Sequence, residues 1–207
     1  MVVAKPTGLA VHRGLDRGPE FVMTRLRDQL GQWVYPVHRL DRATSGALIF
    51  ALDREVARTF QEAFEGGRVE KRYLALVRGI TPETGTIDYP LRRSGKTGER
   101  VPAVTHFRRL GVFERFSLVE ARPETGRFHQ IRRHFKHLSH PLVGDVRYGK
   151  GPINRDFRRR FGLHRLALHA VEVAFDHPID EDRRVVRCPV PDDLANPLRG
   201  MGLSWQG

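Results

Sequence analysis

Apolar and polar positions along the chain form patterns that predict short helices and strands in turn. Apolar residues spaced by about four, with a closing glycine, predict a helix over residues 21–31. The unbroken apolar run 46–52 is typical of a buried strand. Asp53 follows it at the position of a helix N-cap, and Gly66 and Gly67 are expected to end that helix.

Further strands are predicted where apolar residues alternate with polar ones. They cover residues 69–78, 101–110, 115–122, 168–175 and 185–186. Apolar residues in Arg127–Leu138 recur at spacings of three and four, which predicts a helix. The polar, glycine-containing stretch 92–100 is expected to be a mobile hairpin loop. Strands dominate and helices are inserted among them, which is an α+β pattern without an evident domain boundary.

Composition indicates a globular protein with an anionic partner. The 207 residues are 40% hydrophobic and 29% charged, and the formal net charge is +12. Such a charge favours binding to nucleic acid first and to an anionic membrane second. The chain has no run of 18 apolar residues and no secretion signal, so we expect a cytoplasmic protein. A single cysteine, Cys188, excludes an intramolecular disulfide.

The positive charge is concentrated in one segment. Residues 122–165 contain ten arginines and two lysines but only three acidic residues, which gives a local net charge of +9. This concentration predicts a face that binds phosphate groups. A solvated helix face followed by a basic loop is the alternative.

One short motif places a carboxylate between two cations. In His38-Arg39-Leu40-Asp41-Arg42-Ala43-Thr44-Ser45-Gly46, Arg39 and Arg42 flank Asp41 and favour its ionised form. An ionised carboxylate that is presented to a substrate can act as a nucleophile or a base. From spacing alone, Asp41 could equally cap Thr44 or form a salt bridge.

This motif resembles the aspartate motif of the large ribosomal and transfer RNA pseudouridine synthase family. Further segments resemble other blocks of that family in the same order, from about residue 4 to residue 175. They are Lys5–His12, Lys71–Gly79, Thr125–Arg132, His140–Asp145 and Leu168–Ala170.

The resemblance implies a fold and a reaction. The fold would be α+β, with a long mixed, mainly antiparallel sheet flanked by helices and loops, and a central RNA-binding cleft. Residues 1–207 would form a single catalytic domain without an S4-type RNA-binding domain. The protein would be an isomerase that uses no cofactor, and we expect a monomer that binds RNA and no membrane.

The resemblance also implies roles for particular residues. Asp41 would be the essential carboxylate, and Arg132 would pair with it. Tyr73 would stack on the extruded base and could take its C5 proton. Arg39 would fill the gap that the base leaves. The alternatives are a phosphate contact for Arg132 and a packed core position for Tyr73. The other expected RNA contacts are His38, Arg42, Arg127, His129, Arg133 and Lys136.

Finer details resemble the branch of the family that acts at position 65 of tRNA. They include Leu26–Gly31, Asp88–Leu91 and Arg132–His134. The preferred substrate is therefore tRNA. Two alternatives stay open: a 23S ribosomal RNA target, and a non-catalytic RNA-binding protein on the same scaffold.

A metal site is not expected. His134, His137 and His140 are three residues apart, and on an ideal helix the three side chains do not share one face. No acidic residue completes a ligand set there. The glycines between Gly144 and Gly151 lack the order of a phosphate-binding loop, so no nucleotide cofactor is implied.

Overall fold

A computed structural model describes residues 1–13, 18, 20–93 and 98–205, and within them strands outnumber helices. The elements in chain order are β1 (Val2–Lys5), α1 (Val22–Leu30), β2 (Tyr35–Pro36), β3 (Ser45–Ala51), α2 (Arg54–Glu65), β4 (Glu70–Arg78), β5 (Thr84–Asp88), β6 (Leu91–Arg92), β7 (Arg100–Val101), β8 (Val104–Phe113), β9 (Phe116–Pro123), α3 (Gln130–His137), α4 (Gly151–Phe161), β10 (Leu168–Asp176), β11 (Arg183–Arg187) and α5 (Asp192–Gly200).

Most predicted elements are confirmed within a few residues. Asp53 caps α2 as expected, because its carboxylate accepts hydrogen bonds from the backbone N–H groups of Glu55 and Val56. The predicted helix over 127–138 begins later, at Gln130, because His129 has a left-handed backbone conformation. The expected α+β class with mainly antiparallel pairing is also confirmed.

The stretch 92–100 is flanked by a short hairpin. Strands β6 and β7 pair antiparallel, with Leu91 opposite Val101 and Arg92 opposite Arg100. Residues 94–97, at the centre of the predicted mobile loop, lie outside the described residues.

The spacing of apolar residues does not predict helices α4 and α5. Helix α4 has Ile153, Phe157 and Phe161 on one side, but arginines occupy much of the rest. Helix α5 contains Pro197, which argues against a helix when read alone. In the part of the chain described, every helix is too short or too polar to cross a membrane.

The chain divides into two compact units that are not contiguous in sequence. The first comprises Met1–Glu70 with Ala170–Cys188, and the second comprises Lys71–His169 with Pro189–Gly207. The chain leaves the first unit after Glu70 and returns to it at Ala170. A single change in composition along the sequence therefore does not mark the boundary between the units. The single catalytic domain over 1–207 stays a prediction.

The core of the first unit lies between its strands and helix α2, which packs against them. Strand β3 lies between β1 and β10, and β11 pairs antiparallel with β10. Phe60 of α2 packs edge-on against Phe175 of β10, with ring centroids 5.0 Å apart. Strand β3 is buried along its whole length, which explains its unbroken apolar sequence.

The second unit is a sheet with the strand order β4–β9–β8–β5, in which neighbouring strands are antiparallel. Helix α3 packs on one face, where the rings of Phe135 and Phe107 lie 5.4 Å apart. Helix α4 places Phe157 against Phe116 at 4.5 Å. These aromatic contacts fix both helices to the sheet.

Gly46, the last residue of the aspartate motif, is required by the close packing of β3. Its φ of +124° is rare for residues that carry a side chain. A Cβ at this position would overlap the backbone carbonyl of Ala170. The position therefore excludes any larger residue.

We predict that Gly46→Ala lowers the free energy of unfolding by at least about 2 kcal/mol, through backbone strain and overlap. Gly67→Ala is the matched control, because Gly67 also has a positive φ but has open space around its Cβ position. The control should cost about 1 kcal/mol. Urea denaturation measures both. Equal losses would show that strain alone, and not the contact with Ala170, requires glycine.

Candidate active site

Asp41 lies in a turn that leads into β3, in the first unit. The backbone N–H of Thr44 donates to the carbonyl oxygen of Asp41 at 3.0 Å and closes the turn. Asp41 is half-buried, whereas Arg39 and Arg42 are exposed. The carboxylate therefore belongs to a segment with two solvent-accessible guanidinium groups.

A buried lysine fastens this turn to the segment that follows β1. The ammonium group of Lys5, which is 2% exposed, donates to the carbonyl oxygens of Pro6, Leu9 and Arg42 at 2.8, 2.6 and 3.2 Å. Thr7 adds a hydrogen bond from its hydroxyl to the carbonyl of Ala43 at 2.9 Å. Backbone carbonyls thus offset the cost of burying the lysine charge. Sequence reasoning gave Lys5 no role, because its contact with the aspartate motif, through the carbonyl of Arg42, spans 37 residues.

His38 has structural contacts in the same region. Its Nε2 accepts a hydrogen bond from the backbone N–H of Ile49 at 2.9 Å. Its ring stacks on Phe64 with centroids 4.6 Å apart. These contacts hold the motif against β3 and α2, while an RNA contact by His38 stays a prediction.

Tyr73 lies on β4, on the face of the second unit's sheet that α3 covers. In register, Tyr73 is opposite Ala121, and Ala121 is opposite Phe107, so all three side chains share one face. Phe107 is the residue that Phe135 of α3 contacts. Tyr73 is half-buried and not a core residue.

Lys71 shares that face of β4, two residues before Tyr73. Burial lowers the pKa of its ammonium group to about 8. A lysine in this range has an appreciable neutral fraction just above neutral pH and can exchange a proton. Sequence reasoning did not single out Lys71, because the shift depends on burial.

The opposite face of this sheet carries a cluster of arginines around one carboxylate. Glu120 is 1% exposed, and its oxygens lie 2.5 Å from Arg72, 2.7 Å from Arg122 and 3.9 Å from Arg108. The guanidinium of Arg72 also lies over the ring of Trp205 at 5.4 Å. Three arginines therefore surround this buried carboxylate.

Arg132 forms a buried two-pronged ion pair with Asp145. Its Nε and Nη2 donate to the two carboxylate oxygens at 2.7 and 3.0 Å, and the side chains are 7% and 0% exposed. The guanidinium lies 5.2 Å from the ring centre of Tyr148. Paired hydrogen bonds of this kind fix orientation as well as charge.

Asp145 in turn organises the segment that follows it. It accepts hydrogen bonds from the backbone N–H groups of Arg147 and Tyr148, and its carbonyl accepts one from the side chain of Asn154. Burial alone would raise the pKa of Asp145, but the bonds from Arg132 and the backbone outweigh it and lower the pKa.

The segment before α3 is held by Gln130, which is 5% exposed. Its side-chain oxygen accepts hydrogen bonds from the Thr125 hydroxyl at 2.7 Å and the Arg127 N–H at 2.9 Å. Its amide nitrogen donates to the carbonyl of Val104 at 2.9 Å. The Nδ1 atom of His129 lies 3.1 Å from the hydroxyl oxygen of Tyr148. Gln130 therefore positions a segment in which Arg127 and His129 were predicted to bind RNA.

The three histidines of the 134–140 segment have three separate surroundings. His134 is buried between Thr105 and the carbonyl of Tyr89, and burial lowers its pKa. His137 stacks on the ring of Tyr89, and His140 donates to the carbonyl of Arg78. No group of three potential metal ligands forms among the residues described.

The positive segment 122–165 is partly neutralised. Five of its ten arginines pair with carboxylates in the described structure, namely Arg122, Arg132, Arg159, Arg160 and Arg165. Arg133 donates to the carbonyls of Arg92 and Phe128, and Lys136 is exposed. The cations available to RNA are therefore fewer than the local charge suggests.

The predicted catalytic residues are divided between the units. Asp41 belongs to the first unit, together with Arg39, Arg42 and His38. Tyr73 and Arg132 belong to the second, on the face of its sheet that α3 covers. That these residues act in one reaction stays a prediction, which rests on the family resemblance.

Comparison with known proteins assigns the family. The family model described as RNA pseudouridylate synthase matches residues 1–137. The chain is 45% identical to tRNA pseudouridine synthase C of Pasteurella multocida, over 95% of this chain and 91% of that protein. It is 42% identical to the protein of the same name from Vibrio cholerae, over 100% and 93%. The chain belongs to the RNA pseudouridylate synthase family.

A solved structure supports the same assignment. Human RNA pseudouridylate synthase domain containing 4 superposes with a TM-score of 0.81 and 26% identity, over 100% of this chain and 91% of that one. The family resemblance and the isomerase class read from the sequence are therefore confirmed.

We predict that Asp145→Asn lowers the free energy of unfolding by about 3–5 kcal/mol, because it breaks a buried ion pair with Arg132. Asp156→Asn is the matched control, since Asp156 pairs with two arginines at the surface and its loss should change stability little. Guanidinium denaturation at pH 7 measures both. Similar losses would show that the buried pair is not a main constraint.

Acid should weaken the same pair. The folded state lowers the pKa of Asp145, so the pair stabilises the protein above the unfolded pKa of about 4. That contribution is lost as the pH falls through the lower, folded-state pKa. The stability difference between the protein and its Asp145→Asn variant should therefore shrink below about pH 4.

Proposed function

We propose that this protein converts a uridine of tRNA to pseudouridine, with Asp41 as the essential carboxylate. The segment His38–Gly46 carries the proposal, because it resembles the family's aspartate motif and holds Asp41 in a turn fastened by Lys5. The relatives from Pasteurella multocida and Vibrio cholerae are named as tRNA enzymes, which supports tRNA as the substrate class.

One carboxylate suffices for this reaction. Glycosidases use two, because a poor leaving group needs protonation or a water needs activation. In uridine, the bond from C1′ to N1 breaks, and the departing uracil spreads its negative charge over two carbonyl groups. Uracil then turns, C1′ bonds to C5, the C5 proton leaves and N1 gains a proton. Water must be excluded throughout, or the sugar would be hydrolysed.

The remaining roles follow the family resemblance. Asp41 either attacks C1′ or assists deprotonation. Tyr73, a half-buried side chain on an ordered strand, stacks on the base and can receive the C5 proton. Arg132 keeps Asp41 ionised and oriented, and its bond to Asp145 prepares its own orientation. Arg39 is exposed and fills the gap left when the uridine leaves its stack.

The proposed site is uridine 65 of tRNA. This assignment rests on the resemblance of segments such as Leu26–Gly31 and Asp88–Leu91 to the branch that acts there. A monomeric, cytoplasmic enzyme with a central RNA-binding cleft completes the proposal.

We predict that Asp41→Asn abolishes isomerisation and leaves tRNA affinity within a few fold, because the amide keeps the shape but removes the charge. Tritium release from [5-³H]uridine-labelled tRNA measures the reaction, and filter binding measures affinity. Asp53→Asn, at the exposed cap of α2, is the control and should keep activity. Turnover by Asp41→Asn would refute the mechanism.

The target is tested with two tRNA transcripts that differ only at position 65, one with uridine and one with cytidine. Carbodiimide labelling and primer extension should detect a single pseudouridine at position 65, and none in the cytidine transcript. A 23S ribosomal RNA fragment serves as the competing substrate. Modification of that fragment alone would overturn the tRNA assignment, and modification of neither RNA would overturn the activity.

A further inference from the structure

A pocket of about 370 Å³ lies in the second unit between the β6–β7 hairpin and helix α3. Four basic side chains converge on it, together with a stacked aromatic pair. They are Arg92, Arg100, Arg133, Lys136, Tyr89 and His137. Acidic side chains are absent from the described lining of the pocket.

Among the described residues, no carboxylate pairs with any of the four cations. Many arginines elsewhere in the second unit pair with carboxylates, as Arg165 does with Asp193 and Arg160 with Glu114. None of the pocket's four cations forms an ion pair with a carboxylate in the described part of the chain. Like charges that converge without a counter-ion repel one another, so an anion bound there would relieve the repulsion.

Specific contacts hold the pocket's walls in place. Arg133 of α3 donates to the backbone carbonyl of Arg92 at 3.0 Å and so ties the helix to the hairpin. Arg100 donates to the Tyr89 hydroxyl at 2.9 Å, and its guanidinium lies 5.1 Å from the centre of that ring. The Tyr89 ring stacks on His137 at 3.6 Å. These contacts therefore hold the cationic side chains in place around the pocket.

Helix electrostatics explain only part of this arrangement. Lys136 and His137 lie in the last turn of α3, where the negative end of the helix dipole stabilises basic side chains. Arg92 and Arg100 come from the hairpin, to which that effect does not apply. Their convergence on the same space requires another reason, and an anionic ligand supplies one.

We propose that this pocket binds a backbone phosphate of the RNA substrate. The ring of Tyr89 is already engaged by Arg100 and His137, so the pocket offers cationic groups and not a bare aromatic surface. That chemistry suits a phosphodiester better than a stacked base. The inference rests on the proposed action on tRNA, and it identifies where the second unit holds the substrate. A free nucleotide carries the same phosphate group and is the competing source.

The test compares two double variants with equal loss of charge. Arg100→Gln/Lys136→Gln removes two pocket cations, and Arg54→Gln/Arg58→Gln removes two exposed cations from α2. The affinity of each for the tRNA transcript is measured from 50 to 400 mM salt. With the pocket variant, affinity should fall about tenfold, and the slope of log affinity against log salt should become shallower by about 0.7 to 0.9 for each phosphate that the protein no longer neutralises. The α2 variant should keep the slope of the unmodified protein.

A single variant guards against misfolding. Lys136 makes no ion pair in the described structure and is exposed, so Lys136→Gln should fold normally and show about half the change in slope. Its kcat/KM should fall through a higher KM. Unchanged slopes in both pocket variants, while the unmodified protein still isomerises tRNA, would overturn this inference and leave the proposed function standing. Absence of isomerisation by the unmodified protein would instead count against the function.

Adenosine monophosphate separates the two phosphate sources. If the pocket binds the RNA backbone, millimolar adenosine monophosphate should not displace the tRNA, and calorimetry should detect no tight binding. Micromolar binding that disappears in the Arg100→Gln/Lys136→Gln variant would overturn the RNA assignment and make the pocket a nucleotide site.

Discussion

The buried ion pair between Arg132 and Asp145 is the constraint on which the second unit depends. Each of the two buried charges offsets the cost of removing the other from water, so a change to either one breaks the pair. Asp145 also fixes the backbone of Arg147 and Tyr148 and is tied to Asn154 of α4. A single carboxylate therefore sets the positions of α3, the following turn and α4, and it fixes the orientation of Arg132.

The first unit uses the same physical principle with a different acceptor. Lys5 is buried like Arg132, and its ammonium group donates to three backbone carbonyls. One of those carbonyls belongs to Arg42, the neighbour of Asp41. In both units a buried cation positions a segment of the candidate site, while cations such as Arg39 and Lys136 are exposed to solvent. Buried cations thus hold backbone segments in place, whereas exposed cations can contact solvent or a ligand.

The sequence predicts what depends on local pattern and misses what depends on distant partners. Periodicity found the buried strand β3 and the helix capped by Asp53, because those signals lie within a few residues. It gave no role to the bond from Gln130 to Val104, 26 residues away, or to the pairing of Asp145 with Arg132, 13 residues away. The charge of segment 122–165 overstated the RNA-binding face, since carboxylates that neutralise some of its arginines lie elsewhere in the chain. The expected catalytic residues came from family motifs, because periodicity carries no information about chemistry.

The bond from Arg133 to the hairpin ends on a backbone carbonyl, that of Arg92, and not on a side chain. Every amino acid at position 92 presents that carbonyl, so the attachment is indifferent to the residue there. The hairpin can therefore change its surface chemistry over evolution, or in an engineered variant, without loosening its hold on α3. The contact that holds the hairpin to α3 therefore does not depend on the hairpin side chains that face a substrate. Substitutions in β6 and β7 can alter the preference among RNA substrates at little structural cost.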